Sequence, residues 1–276
     1  MIFKRKDGEP IKVDAFMRFI PLIMKYRYDA LVSLTQEIEL SPLDDYIKKT
    51  YEEKGIRISY MHILYSALVR TFNDMPGINQ FIMGGRHYKR NDIEFSMAVK
   101  KSFDIDSEET TLKIKFEGNE TPLEIKNNLD KRINEEKNVL TSGKNKTDLF
   151  VKALENTPLF LLRFILGTLK TLDKINLMPQ KVLDASPFHA SAFITNLGSI
   201  GLDAALHHIY DLGTVGTFVS IGKRGRKIVK KNDEFVEVKI MNIGVVIDER
   251  ICDGYYYAKA LRVFFRYIND PQKLDK

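Results

Sequence analysis

The sequence has no tryptophan and only one cysteine, Cys252, among its 276 residues. A single thiol excludes an internal disulfide framework and any cysteine-built metal site, and it suits a reducing cytoplasm. Histidine is also scarce: there are five. His62, His87 and His189 show no ligand spacing, so no metal is expected. Long apolar runs are missing too. The most apolar segment, Pro158 to Leu169, is interrupted by Arg163 and is shorter than the roughly 20 residues of a membrane span. Met1 to Gly8 has no apolar stretch followed by small residues, so no secretory signal is expected. The net charge is +6, with both signs spread along the chain. That gives no case for nucleic acid but is compatible with a polyanionic small ligand. With 44% hydrophobic and 29% charged residues, the chain is expected to be a soluble cytoplasmic protein with a sizeable core, in one domain spanning 1–276.

What is present reads as interspersed strands and helices. Pro10 and Pro21 limit helix in the first 30 residues to a short piece near Phe16 to Met24. Leu31 to Leu40 reads as a strand. Ser41-Pro42-Leu43-Asp44 opens a helix, with Ser41 as its cap, and Gly55 stops it. Ser59 caps a second helix, Tyr60 to Asn73, in which Met61, Leu64, Leu68, Val69 and Phe72 make one apolar face. From Asn91 the period changes to two: Ile93, Phe95, Met97 and Val99 face a core. Thr111 to Phe116 alternates again, with Lys113 and Lys115 on the wet side. Thr121-Pro122-Leu123-Glu124 is a capping box for a helix with Ile125, Leu129 and Ile133 on its stripe. Thr141 to Lys146 resembles a linker, and an apolar helical region then runs to about Leu177. Ala190 to Leu197 and Gly216 to Gly222 read as buried strands, and Ile228 to Ile247 as a hairpin turning at Lys231 to Glu234. The pattern predicts an α/β fold, a mixed β-sheet covered by helices.

Chemistry is expected where the strand ending at Ile247 passes through Asp248-Glu249-Arg250-Ile251-Cys252-Asp253-Gly254 into an aromatic helix, because strand ends fix side chains beside exposed loops. This frame resembles the His-x-x-x-Asp-Gly motif of the 2-oxoacid dehydrogenase acyltransferase catalytic-domain family, in the chloramphenicol-acetyltransferase-like superfamily. A second stretch supports the likeness. Phe193-Ile194-Thr195-Asn196-Leu197-Gly198 is similar to the family's Thr-Ile-Ser-Asn-Leu-Gly, and Glu249 follows Thr195 by 54 positions, close to the family's separation. The departure is Glu249, which stands in place of the family's catalytic His.

The resemblance implies a chloramphenicol-acetyltransferase-like two-layer sandwich, a homotrimer with active sites between subunits, and an acyl-CoA or related thioester as substrate. By the same resemblance Thr195 is the oxyanion-stabilising hydroxyl, Glu249 occupies the acid/base position and Asp253 is a structural carboxylate, with Arg18 as its suggested partner. A carboxylate is a weaker base than imidazole toward a thiol unless burial raises its pKa. Two readings therefore stay open: a stand-alone acyltransferase, or an inactive homologue kept for ligand binding or as a scaffold. His207 and His208, a dozen residues after Thr195, read first as packed or hydrogen-bonded histidines at a strand end and second as candidate substitute bases. Lys223, Arg224 and Arg226 form a basic cluster that reads first as a solvated hairpin rim and second as a site for the phosphates of coenzyme A. Cys252 reads as a reactive thiol or as a small buried hydrophobe. The apolar helix at 158–169 is expected to make a partner or trimer contact. Nothing resembles a lipoyl or peripheral-subunit-binding domain.

Overall fold

A computed structural model describes residues 4–100, 109–141 and 157–276. Seven α-helices and nine strands are found among them. A six-stranded sheet has the order β2-β9-β8-β7-β5-β6. Its strands are β2 (Leu31–Glu39), β5 (Ile93–Lys100), β6 (Glu109–Phe116), β7 (Ala192–Asn196), β8 (Thr217–Lys231) and β9 (Glu234–Asp248). The three central strands β5, β7 and β8 run parallel, and the remaining pairs are antiparallel. A small sheet, β1 (Gly8–Pro10), β4 (Arg86–Arg90) and β3 (Gln80–Met83), lies apart from it in hydrogen bonding. The mixed sheet with covering helices is the α/β fold that the residue pattern predicts.

Helices α2 (Ser41–Lys54), α3 (Tyr60–Asp74), α4 (Pro122–Thr141) and α7 (Gly254–Asn269) cover one face of the large sheet. The alternation expected in β5 delivers Phe95 to this core, and β7, read as a buried strand, adds Ala192 and Ile194, against Leu64, Phe72, Ile125 and Phe264. The opposite face carries Phe193, Phe218 and Val246 and is packed by Ile209 and Val215, from the irregular segment 201–216.

Local signals match the observed boundaries closely. Gly55 ends α2 at φ 68°, in the left-handed region where a side chain is strained. Ser59 and His62 form a reciprocal cap on α3, and Thr121 and Glu124 do the same on α4. The β8–β9 hairpin is longer than expected, starting at Thr217, and turns through Asn232 and Asp233, both at positive φ. That is the two-residue geometry that matches strand twist.

Several expectations need correction. The residue capping α2 is Leu40, without a side-chain bond, and the Ser41 hydroxyl turns back to Glu39. The short helix expected near Phe16 to Met24 is α1 (Ala15–Ile23), with Pro21 inside it. Lys113 is not on a wet face. Its ammonium donates to the Leu183 and His189 carbonyls and pairs with Glu94 at 3.1 Å, because the segment through α6 (Gln180–Ala185) crosses over β6. The linker-like stretch lies outside the described residues beyond Thr141. The apolar region after it includes α5 (Leu159–Lys174), and no helix among the described residues is long and apolar enough to cross a membrane.

Candidate active site

The turn after β9 is held by a buried charge cluster. Asp248 and Arg250 point to the same side and form a bidentate pair, at 2.8 and 2.7 Å, the geometry that aligns a planar guanidinium with a carboxylate. Both are about 95% buried or more. Arg27 approaches the same carboxylate at 3.8 Å and donates to the carbonyls of Tyr210, Gly213 and Val215. Arg250 also donates to the Met24 carbonyl, and its own carbonyl meets His87 Nε2 at 2.9 Å. Burial pulls the Arg27 guanidinium down despite Asp248, whereas for Arg250 burial is outweighed by the Asp248 hydrogen bonds and charge, so its pKa rises. Asp248, Arg250 and Arg27 thereby fix β9, the start of β2 and segment 210–215 to one another.

Glu249 sits at the crest of this turn, half-buried, with its backbone N–H donating to Ala30 O at 3.0 Å. No ion pair holds its carboxyl among the described residues. Asp253, expected as a structural carboxylate, has no arginine partner among the described residues. It is exposed and caps α7, its Oδ1 accepting from Tyr256 N at 2.8 Å. Arg18, exposed on α1, is not its partner; the carboxylate held by arginine is Asp248. Cys252 lies in the same turn, and burial pushes its thiol up to about 12, so it is a poor nucleophile.

Thr195 lies near the other end of the sheet. It is half-buried on β7, on the face of Phe193 and Phe218, and the next residue, Asn196, caps a turn by accepting from Ser199 N at 3.2 Å. Strand register shows how far apart the two motifs are. Thr195 pairs with Ser220, and Ser220 with Gly244. Glu249 is five residues past Gly244, so about 17 Å along the strands and two strand spacings across separate it from Thr195, roughly 19 Å in all. Within one chain these residues cannot act on one carbonyl group.

His207 is nearer to Thr195. Its ring stacks on Phe218 with centroids 4.3 Å apart, on the sheet face that bears Thr195, and its Nδ1 meets His208 O at 2.7 Å. A carbonyl oxygen only accepts, so Nδ1 carries the hydrogen and Nε2 keeps its lone pair. His208 is exposed, stacked on the outer side of His207. The same loop is anchored to the sheet by Ser220 Oγ, which donates to Ala205 O. Gly244 lies beneath it, and a Cβ there would meet both groups at under 3 Å.

The basic cluster borders the Thr195 end. Lys223, Arg224, Arg226, Lys239 and Gly198 line a surface cleft of about 380 Å³. A neighbouring cleft of about 190 Å³ shares Gly198, Lys223 and Arg224 with it and adds Tyr60, Asn196 and Ser199. Arg226 is paired with Glu237 at 2.8 Å and Lys239 with Asp44 at 2.9 Å, while Arg224 lies 5.8 Å over the Tyr60 ring. The cluster is thus part ion-paired rim and part cleft wall. Arg27, the Asp248–Arg250 pair and Ser220 are the members that sequence reasoning missed. The Asp-x-Arg spacing was the available signal for the pair; nothing local announces Arg27.

The fold is similar to that of acyltransferase catalytic cores. Residues 175–275 match the family model described as 2-oxoacid dehydrogenases acyltransferase (catalytic domain). The structure is similar to a probable dihydrolipoamide acetyltransferase of Listeria monocytogenes 4b F2365, with a TM-score of 0.58 and 14% identity over 94% of each chain. It is also similar to the cubic core of the pyruvate dehydrogenase multienzyme complex, with a TM-score of 0.55 and 13% identity over 97% of this chain and 100% of that one. The dihydrolipoamide acetyltransferase of Azotobacter vinelandii gives a TM-score of 0.55 and 14% identity, with the same coverage. No curated protein matches the sequence. The likeness read from the two motifs is therefore shown in sequence over the C-terminal third and in fold over nearly the whole chain.

Proposed function

We propose that the chain transfers an acyl group from a coenzyme A-type thioester to a thiol or hydroxyl acceptor. The observation that carries this reading is the Thr195 hydroxyl at a sheet end, on the face that also holds His207 with its Nε2 lone pair available. The base takes the acceptor's proton, the acceptor attacks the thioester carbonyl, and Thr195 donates to the oxyanion. Collapse of the tetrahedral species then expels the coenzyme A thiolate, which takes up a proton. Lys223 and Arg224 in the adjoining cleft suit the anionic part of such a donor. Glu249 can join this chemistry only from a second copy of the chain, given its distance from Thr195 within one copy. The family resemblance implies such an arrangement, a trimer with sites between subunits.

The test is acyl transfer with a panel of acyl-CoAs and thiol acceptors. Loss of an oxyanion donor in Thr195→Val is expected to lower kcat about 10²–10³-fold, and loss of the base about 10²–10⁴-fold. Comparing His207→Gln with Glu249→Gln identifies which residue is that base. A second reading, a homologue that binds an acyl donor without turning it over, is favoured by the carboxylate at position 249. Silence in the wild type with activity gained in Glu249→His would establish it, and failure to bind any acyl-CoA would overturn both readings.

A further inference from the structure

Between α7, α3 and the large sheet lies a chamber of about 240 Å³ that no step of acyl transfer uses. It opens between the edge strand β2 and α7, where Val32 and Ala258 are exposed, and is walled deeper in by Leu34 and Leu261. Among the described residues, only two polar side-chain groups besides Tyr257 line it. Thr71 Oγ1 is occupied, donating to Ala67 O at 2.7 Å, and the Tyr257 hydroxyl donates to Asp248 O. The other is Thr217 of β8, which is 6% exposed and whose Oγ1 has no hydrogen-bond partner among the described residues. A buried hydroxyl left unpaired costs stability, and such groups are rare in folded proteins. Among the described residues, no charged side chain lines the chamber.

These features define a ligand. Apolar cavities of about 150 Å³ already hold benzene, so this space admits a somewhat larger apolar body. The single polar contact sits on the sheet floor, where an entering chain would place its head. With no cation present, a carboxylate would lose its hydration without compensation. We infer that the chamber binds a neutral aliphatic or aromatic molecule bearing one hydrogen-bonding group, an alcohol, ketone or ester, whose polar atom meets the Thr217 hydroxyl. The site is independent of the proposed acyl-transfer chemistry. It lies on the helix-covered face, whereas Thr195 and His207 lie on the other.

Calorimetric titration of the full chain with 1-octanol and with octanoate at pH 8 tests this. Octanol is expected to bind saturably and octanoate at least tenfold more weakly. Thr217→Val, which keeps the shape and removes the hydroxyl, is expected to weaken octanol about 2- to 10-fold. Ala258→Phe, at an exposed helical position beside the mouth, is expected to abolish binding while circular dichroism remains that of the wild type. No octanol binding, equal binding of octanoate, or binding that survives Ala258→Phe would overturn the assignment. An unchanged octanol affinity in Thr217→Val would overturn the role of the hydroxyl.

Discussion

Asp248 shows how much of this turn depends on single side chains. Its carboxylate accepts both arms of the Arg250 guanidinium and lies 3.8 Å from Arg27, all with little solvent contact. Removing one member leaves an uncompensated buried charge, so Asp248→Ala is expected to cost about 3–5 kcal/mol in urea unfolding. Glu249→Gln, on the crest of the same turn, is expected to change stability by less than about 0.5 kcal/mol. If the two substitutions destabilise equally, the carboxyl of Glu249 belongs to the framework and not to a reacting group. Cys252 offers a second test at this scale. Burial keeps its thiol protonated, with a pKa of about 12. Alkylation of the native protein at pH 8 is expected to be slow relative to the urea-unfolded chain, and Cys252→Ala should leave acyl transfer unaltered.

Elements with a local cause were legible in the sequence, and those assembled from distant parts were not. The helices α2, α3 and α4 announced themselves through the Gly55 stop, the Ser59 cap and the Thr121–Glu124 capping box, and β5 through strict alternation. The Gly55 stop can be tested. A Cβ at Gly55 meets nothing within 4 Å, so Gly55→Ala adds backbone strain alone. It is expected to cost about 1–2 kcal/mol by thermal unfolding. The small sheet escaped prediction because β1 pairs with β4, some eighty residues away, through only three register pairs. Lys113 was misplaced because alternation reports which side of a strand a residue occupies, not what later crosses that side. The candidate site divides in the same way. Thr195 and the 248–254 frame are visible as short motifs. The segment 201–216, which brings His207 onto Phe218, has no regular structure, and its course is set by buried anchors such as Ile209 and Val215.

For the molecule as a whole, two properties follow from burial and exposure. His87 and His62 both have lowered pKa values, with burial as the main cause. The unfolded chain, with histidines near 6.5, takes up protons before the folded one does. Stability is therefore insensitive to these groups above about pH 7 and falls as pH drops through 6.5; the urea midpoint is expected to be lower at pH 5.5 than at pH 8, and His87→Gln should flatten that slope if the variant folds. The second property concerns exposure. On α1, Phe16 and Leu22 are 69% and 68% exposed, and on α5 Phe160 and Phe164 are 74% and 70% exposed. Several large apolar side chains on each of two helices form the kind of surface that marks an interaction site. Self-association is the expected use, because the roughly 19 Å between Thr195 and Glu249 leaves that pair without a common substrate in a lone chain. Sedimentation equilibrium should give a species of three chains, and Phe16→Ser with Leu22→Ser should shift it toward the monomer. If assembly depends on α1 and acyl transfer falls in parallel with it, the site draws residues from two copies. Activity that persists in the monomer would assign the reaction to Thr195 and His207 of one chain and remove Glu249 from the chemistry.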